Sequence, residues 1–511
     1  MLIQIEHLTI THTKDLRTLL EDFSLVLNEG DIAVIVGEEG NGKSTLLKLI
    51  YDESLVAPYA EWSGSILRGN TRFGYLPQEL PGECADLTVA EYMAASPEYR
   101  ALHGGERAEL ERSLGLRDGF LGQSCAVGRL SGGENVKLQL SRIMAAAPDV
   151  LLLDEPSNDL DIATLEWLEE YIPGCGVPVL FVSHDETLIE RTANTVIHLE
   201  LLRRKTLPRA AVARLSYGDY VRARRLGMER QARISGKEQA EFDAKMERFR
   251  RIREKVERQQ GSVSRQDPHG GAMLKKKMHT VQAMGRRFEK EKERVTAMPE
   301  TEEAIFLTFP ERCALPAGKT VLDFTLGELR AGERLLAANI ALRVTGGERV
   351  CIIGANGAGK TTLLRAIAAE LLPRRDIRGA YMPQNYGDAL PGDVSPVEYL
   401  NESGGKEEAT RIRSYLGSLR YTSVEMEHPI RELSGGQRAK LLMVRMALGE
   451  CNVLLLDEPT RNFSPLSAPV VRDALRAFPG TIISVSHDRR FLSEVSQTVY
   501  ELTADGLQRI W

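Results

Sequence analysis

The chain writes one string of short motifs twice. A glycine-rich run, Gly37-Glu38-Glu39-Gly40-Asn41-Gly42-Lys43-Ser44-Thr45, returns as Gly354-Ala355-Asn356-Gly357-Ala358-Gly359-Lys360-Thr361-Thr362, with Lys43 and Lys360 317 residues apart. Gln78 and Gln384 stand 306 apart, and the pairs Ser131 and Ser434, Glu155 and Glu458, His184 and His487 are each separated by 303. Constant spacing over the last block means two copies of one domain, with length changes confined to the upstream part. A chain of 511 residues is too long for one core and fits two cores of roughly 200 residues plus an insertion. The copies are expected at 1–202 and 299–511, with 203–298 as a linker between them.

Each copy reads as α/β. In the first, Leu2 to Ile5 is strand-like, and Phe23, Leu25 and Leu27 alternate with Ser24 and Val26 as a half-buried strand requires. The apolar run Ile32 to Val36 enters the glycine loop, and the helical Leu46 to Ile50 follows. Strand, GxxxxGK[ST] loop and helix in this order form a phosphate-binding Walker A motif. Glycines let successive backbone N–H groups close on phosphate oxygens, the helix N-terminus adds its positive end, Lys43 neutralises charge, and Ser44 is a Mg²⁺ ligand candidate. Val150 to Leu153 then runs into Asp154-Glu155, a Walker B pair in which Asp154 would hold Mg²⁺ and Glu155 would polarise an attacking water.

Between them lies Leu130-Ser131-Gly132-Gly133-Glu134, which alone would read as an ordinary helix N-cap. Gln78 and His184 each follow an apolar run, at strand ends where a γ-phosphate could be sensed; a lone His there would more simply be structural. The second copy repeats the set as Lys360 with Thr361, then Gln384, Leu433-Ser434-Gly435-Gly436-Gln437, Asp457-Glu458 and His487. The copies differ in one loop. Where the first has Asn158-Asp159-Leu160-Asp161, the second has Asn462-Phe463-Ser464-Pro465, so its acidic residue is gone and equal hydrolysis at the two sites does not follow. No confident adenine-stacking aromatic precedes either loop; His12 is a weak candidate.

The linker carries the opposite charge from the repeats. Residues 203–298 hold 27 Lys plus Arg against 12 Asp plus Glu, and the rest of the chain 39 against 60. Phe242, Met246, Phe249, Ile252 and Val256 form one helical seam, and Leu274, Met278, Val281, Gly285, Phe288 and Val295 a second. This spacing predicts a helical hairpin whose first arm, about Tyr220 to Gln260, is roughly 60 Å long. Gly261 and Asp267-Pro268-His269-Gly270-Gly271 are expected to break the helices and form a tip at 259–271, followed by Lys275, Lys276 and Lys277. Net positive charge concentrated on one element suits phosphate neutralisation, and without a base-reading motif it suits the shape and backbone of structured RNA.

Composition closes other routes. No run of 18 apolar residues is present, so no membrane span is expected. Met1 to Thr11 lacks a basic leader and a small-residue cleavage site, so a cytoplasmic protein is expected. Cys84, Cys125, Cys175, Cys313, Cys351 and Cys451 lack CxxC spacing, which argues against zinc and against a disulfide framework.

In this order the motifs resemble an ATP-binding cassette domain. Two cassettes, no membrane segment and a basic helical linker resemble the ABC-F family of ribosome-binding ATPases, over nearly the whole chain. Asp267 to Gly271 leading into Leu274 to Met278, with the unusual Asn462 to Pro465 loop, looks like the family's bacterial antibiotic-resistance branch. The resemblance implies two P-loop cassettes facing head to tail, joined by a basic antiparallel α-helical hairpin. ATP on the first Walker A would meet Ser434 to Gln437, and ATP on the second Ser131 to Glu134. It implies Mg²⁺ near Ser44, Gln78, Asp154, Thr361, Gln384 and Asp457, and hydrolysis through Glu155 and Glu458 with His184 and His487. It further implies a hairpin inserted toward the P-site tRNA and the peptidyl-transferase region, release on hydrolysis, and a monomer off the ribosome. Two other readings explain the cassette motifs: the ATPase of a transporter with separate membrane subunits, and a DNA-associated ATPase.

Overall fold

The computed structural model describes residues 2–262, 268–292, 296–300, 308–401 and 403–511. The chain forms two compact units, one of Met1–Tyr217 with Glu302–Trp511 and one of Gly218–Thr301. The first unit contains both repeats, each an α/β domain.

Each repeat is built on a six-stranded sheet. The first has the order Phe73–Leu76, Val150–Asp154, Val179–Val182, Ile32–Val36, Thr195–Leu201, Leu207–Ala213. The second runs Gly379–Met382, Val453–Asp457, Thr481–Val485, Arg349–Ile353, Thr498–Thr503, Gly506–Arg509. Pairings are parallel except at the last strand of each. Val150–Asp154 and Val453–Asp457 are buried at every position, as unbroken apolar runs must be when helices cover both faces of a parallel sheet. Leu207–Ala213, from the stretch assigned to the linker by sequence, extends the first sheet beside Thr195–Leu201, and the second unit begins at Gly218.

An antiparallel sheet adjoins each core: Thr18–Leu27, Ile3–His12 and Ala60–Leu67 in the first repeat, Thr320–Ala331 with Arg334–Thr345 in the second. Phe23, Leu25 and Leu27 point inward while Ser24 and Val26 are exposed. These residues share one core with Leu46, Leu47, Leu49 and Ile50 of the helix Lys43–Tyr51, and that packing fixes the glycine loop against the sheet. A smaller helical core around Val89, Tyr92, Met93, Phe120 and Leu138 carries the helix Gly132–Ala145.

Among its described residues the second unit holds the helix Tyr217–Ser262, less its first residue, the helix Pro268–Lys292 and the segment 296–300. At 1.5 Å per residue the first arm is about 69 Å long. The arms are antiparallel: Phe249 meets Phe288 edge-on at 5.4 Å between centroids, and Lys245 pairs with Glu291. Phe249, Val256 and Val281 are buried, with Met246, Met278, Met284 and Phe288 packed on them.

Two expectations about the arms need correction. Ile252 is 44% exposed: it stands roughly 60° round the helix from Phe249 and roughly 40° from Val256, on the outer edge of a narrow seam, and its neighbour Arg253 is exposed as well. Gly261 lies inside the first helix, and Pro268, Gly270 and Gly271 lie inside the second. Proline is tolerated in a first turn, and a glycine costs a helix only about 1 kcal/mol. Of the expected tip, 263–267 lies outside the described residues, as do Val295 and the side chain of Leu274.

Candidate functional site

The carboxyl ends of the parallel strands gather the motif residues, the position where open α/β sheets form crevices. Ile32–Val36 feeds the first glycine loop, and the helix starts at Lys43 directly after Gly42, whose φ is 84°. Gly37 has φ 151°, and a Cβ there would fall 2.3 Å from the Leu199 carbonyl oxygen; at Gly354 the corresponding oxygen, of Leu502, is 2.7 Å away. No side chain fits either place. Lys43 Nζ donates to the carbonyls of Gly37 and Glu38 at 2.9 and 3.0 Å, and Lys360 Nζ to those of Gly354 and Ala355 at 2.8 and 2.9 Å. Both lysines thus span their loops. Thr45 and Thr362 stand half-buried in the first turns that follow.

Ser44 Oγ donates to Asp154 Oδ1 at 2.8 Å, and the Tyr75 hydroxyl approaches Oδ2 at 3.4 Å. The Asp457 carboxylate is buried beside Thr361 without a hydrogen bond of ordinary geometry. Burial raises both carboxyls above the usual range. Gln384 Nε2 reaches Asp159 Oδ1 of the other repeat at 3.5 Å, whereas Gln78 is exposed at its strand end. Among the described residues no three His, Cys, Asp or Glu side chains cluster as a metal cage.

The next acid is strained in both copies, with φ 53° at Glu155 and 52° at Glu458, a left-handed conformation costly for a side chain and often kept at functional sites. Glu155 Oε1 lies 2.9 Å from His184 Nε2, while its Oε2 is buried without a partner. His184 Nδ1 faces the Phe463 carbonyl of the second repeat at 2.8 Å, and since a carbonyl only accepts, Nδ1 carries a hydrogen. Burial opposes charge on both groups, but each outweighs it for the other, lowering the pKa of Glu155 and raising that of His184. The second copy differs. His487 Nε2 stands 4.0 Å from Glu458, and the contact to Glu458 Oε2 comes from the His487 backbone N–H at 3.3 Å. Burial and the neighbouring Asp457 push Glu458 up to about 8, and burial with the Lys360 charge depresses His487 to about 4.

Ser131 and Ser434 do cap the helices Gly132–Ala145 and Gly435–Leu448, each in a reciprocal box with Glu134 or Gln437. The glycines behind the caps serve a second purpose. A Cβ on Gly132 would lie 2.4 Å from the Asp159 carbonyl oxygen, and one on Gly436 2.8 Å from that of Asn462.

The repeats face head to tail. Gly436 N–H donates to Glu39 Oε2 at 2.7 Å, and Asn356 Nδ2 donates to the Asp159 carbonyl. A cavity of about 800 Å³ lies between Ser131, Gly132 and Glu134 of the first repeat and Asn356, Lys360, Thr361, Gln384, Glu458 and His487 of the second. Other interface groups carried no sequence signal. Arg461 pairs with Asp159 at 2.9 Å, and buried Arg472 pairs with Glu186 across the interface at 2.6 Å and with Glu494 at 2.8 Å. Leu19 and Leu336 lie against Gly42 and Gly359, while His12 is engaged with Asp15 at 3.2 Å. The 303-residue offset sets Ser464, rather than Pro465, opposite Asp161, and Ser467 opposite Thr164.

The pattern of the family described as ABC transporter matches residues 20–158 and 337–461. The tylosin resistance ATP-binding protein TlrC of Streptomyces fradiae is 30% identical, the alignment covering 96% of each chain. The chain belongs to the ABC-F family of twin-cassette ATPases. The ribosome protection protein VmlR of Bacillus subtilis (strain 168) is 29% identical to this ABC-F chain, over 96% of it and 85% of VmlR. Its fold resembles that of an archaeal ribosome recycling factor, aABCE1, crystallised with the ribosomal stalk protein aP1, with TM-score 0.59 and 17% identity over 99% of this chain and 90% of the other. Membership makes this ABC-F protein an ATP-hydrolysing P-loop enzyme, and among its described residues no helix is long and apolar enough to cross a membrane.

Proposed function

We propose that this ABC-F ATPase binds the ribosome in its ATP-closed state, reaches toward the tRNA and peptidyl-transferase region with its interdomain hairpin, and leaves on hydrolysis. The observation that carries this reading is the hairpin surface. Lys275, Lys276, Lys277, Arg286 and Arg287 are exposed and make no ion pair among the described residues, as a phosphate-binding face requires. Relatives named for ribosome protection and tylosin resistance support the same partner and favour a protective role against ribosome-targeting antibiotics. The protein would act in the cytoplasm, and as a monomer off the ribosome, because its two cassettes complete each other's sites.

ATP would lie between each Walker A loop and the opposite signature helix, as in the cavity between Ser131–Glu134 and Lys360. Mg²⁺ fits the residues present: the unpartnered Asp457 carboxylate with Thr361, and Asp154 with Ser44, each offer one carboxylate and one hydroxyl. Bound there, Mg²⁺ would neutralise charge on the transferring phosphate. Glu155 has a free buried oxygen to accept a hydrogen from water, and His184 orients it while reading the other cassette through the Phe463 carbonyl. Cassette contact and the catalytic posture of Glu155 are thereby linked. Glu458 and His487 would serve the second site.

The test replaces Lys275, Lys276 and Lys277 with Glu and measures ribosome binding against salt. The reading predicts intact ATPase activity of the free protein, weaker binding and a shallower salt dependence. Unchanged binding would count against it.

A further inference from the structure

The two composite sites differ where the repeat predicts identity. In the first cassette Asp161 caps the helix Ile162–Gly174, accepting from Thr164 N at 3.0 Å and Thr164 Oγ1 at 2.7 Å, and it also faces the Asn356 backbone of the second cassette. The second cassette holds Ser464 and Ser467 at these places, and the carboxylate arrives from the other side of the interface. Ser464 Oγ donates to Glu38 Oε1 at 2.6 Å, Ser467 Oγ donates to the same oxygen, and Lys440 Nζ lies 3.5 Å from Oε2. Lys440 is the counterpart of Lys137, which feels Asp161 in the first cassette. The place of Glu38 in the second glycine loop is taken by Ala355. The acid missing from one loop therefore reappears on the opposite one. Its neighbour Glu39, an asparagine in the second loop, accepts the N–H of signature Gly436 at 2.7 Å.

Parting the cassettes has different consequences at the two places. At the second site the direct cross-interface ion pair is Arg461 with Asp159, whose side chain is 59% exposed and screened by water, while Asp161 keeps its helix cap and adds only a backbone contact to Asn356 and the charge of Lys360. At the first site, separation breaks several contacts at once, those of the Glu38 carboxylate with Lys440 and two serine hydroxyls and that of Glu39 with Gly436 N–H, and exchanges them for water. A terminal phosphate approaching that helix N-terminus must also displace Glu39, which carries charge of the same sign.

We propose that the site of the first P-loop is a standing hinge, held shut by Glu38 and Glu39 acting across the interface, and that ATP-driven opening and closing are confined to the site of the second P-loop. Glu38 and Glu39 are then positioning residues that set which site responds to ATP. This rests on the head-to-tail pairing of the cassettes and is independent of the ribosome reading.

Hydrogen exchange on the full-length protein tests it, comparing segments 434–440 and 131–137 after correction for intrinsic rates. Without nucleotide, 434–440 is expected to exchange about tenfold or more slowly than 131–137, and Mg-ATP to slow 131–137 while leaving 434–440 nearly unchanged. The triple substitution Glu38→Ala, Glu39→Asn and Ser464→Asp gives the first site the loop residues of the second. It should bring 434–440 to the rate of 131–137 and make both respond to ATP. The milder pair Glu38→Gln with Glu39→Gln should move 434–440 the same way if the triple variant loses protection of the core strands 150–154 and 453–457. Equal exchange at the two segments in the unmodified protein would overturn the proposal, as would an unchanged 434–440 in a folded variant.

Discussion

Removal of one ring, Phe249→Ala, should open the hairpin and spare the cassettes. Phe249 is buried between the arms, edge-on to Phe288 and against Gly285. Losing a buried phenylalanine costs about 3–5 kcal/mol in a closed core, including about 1 kcal/mol for the aromatic pair. The seam is narrow and flanked by solvent, so the low end, about 3 kcal/mol, applies. That raises the open fraction of the arms by about two orders of magnitude. Native-state trypsin cleavage after Arg248, Arg250, Arg251 and Arg253 reads this fraction directly, since the arms offer many sites. Gly285→Ala is the matched control. A Cβ there would stand 3.4 Å from Phe249 Cζ, an ordinary contact, while alanine gains about 1 kcal/mol of helix propensity, so cleavage should slow. ATPase activity of the free protein should persist in both. If Phe249→Ala left cleavage unchanged, or Gly285→Ala accelerated it, the packing argument for the arms would be wrong.

Other residues give sharp expectations. Ile252→Lys, on the exposed side of the first arm, should change the same cleavage assay by no more than about 0.5 kcal/mol. Gly37→Ala should deform the first P-loop, because its Cβ meets the Leu199 carbonyl, and equilibrium dialysis should show one nucleotide fewer bound per chain. Arg472→Ala leaves Glu186 and Glu494 facing each other without their cation, at a cost of about 3–5 kcal/mol. The thermal unfolding midpoint should drop, and adding Glu186→Gln should cost less than the sum of the separate effects; strict additivity would refute the pair.

Much of the site was legible because its residues are fixed by local geometry. A backbone that closes on phosphate needs glycine at 37 and 42, and an apolar run ending in Asp154 or Asp457 needs a buried strand. The strand alternation at Phe23 to Leu27 and the heptad from Phe249 to Val256 were likewise written in local spacing. What was not legible depends on contact between segments distant in the chain. Glu38 looked like one more loop residue until Ser464, 426 residues later, was found bonded to it. The loss of acid at Ser464 was readable, but its replacement from the opposite loop was not. Ile252 shows a different limit: an apolar residue on the outer edge of a narrow seam satisfies a loose count and still faces water. Leu207–Ala213 was read with the linker because an exposed edge strand lacks the unbroken apolar run that marked its neighbours.

ATP binding is expected to put this protein on the ribosome and hydrolysis to take it off. The direct test is the double substitution Glu155→Gln and Glu458→Gln, which removes both candidate bases while leaving the glycine loops intact. Sedimentation through sucrose with purified ribosomes should then show the protein in the ribosome fraction with ATP and free of it with ADP. If the trapped protein stayed at the top of the gradient with ATP, the ribosome account would be contradicted.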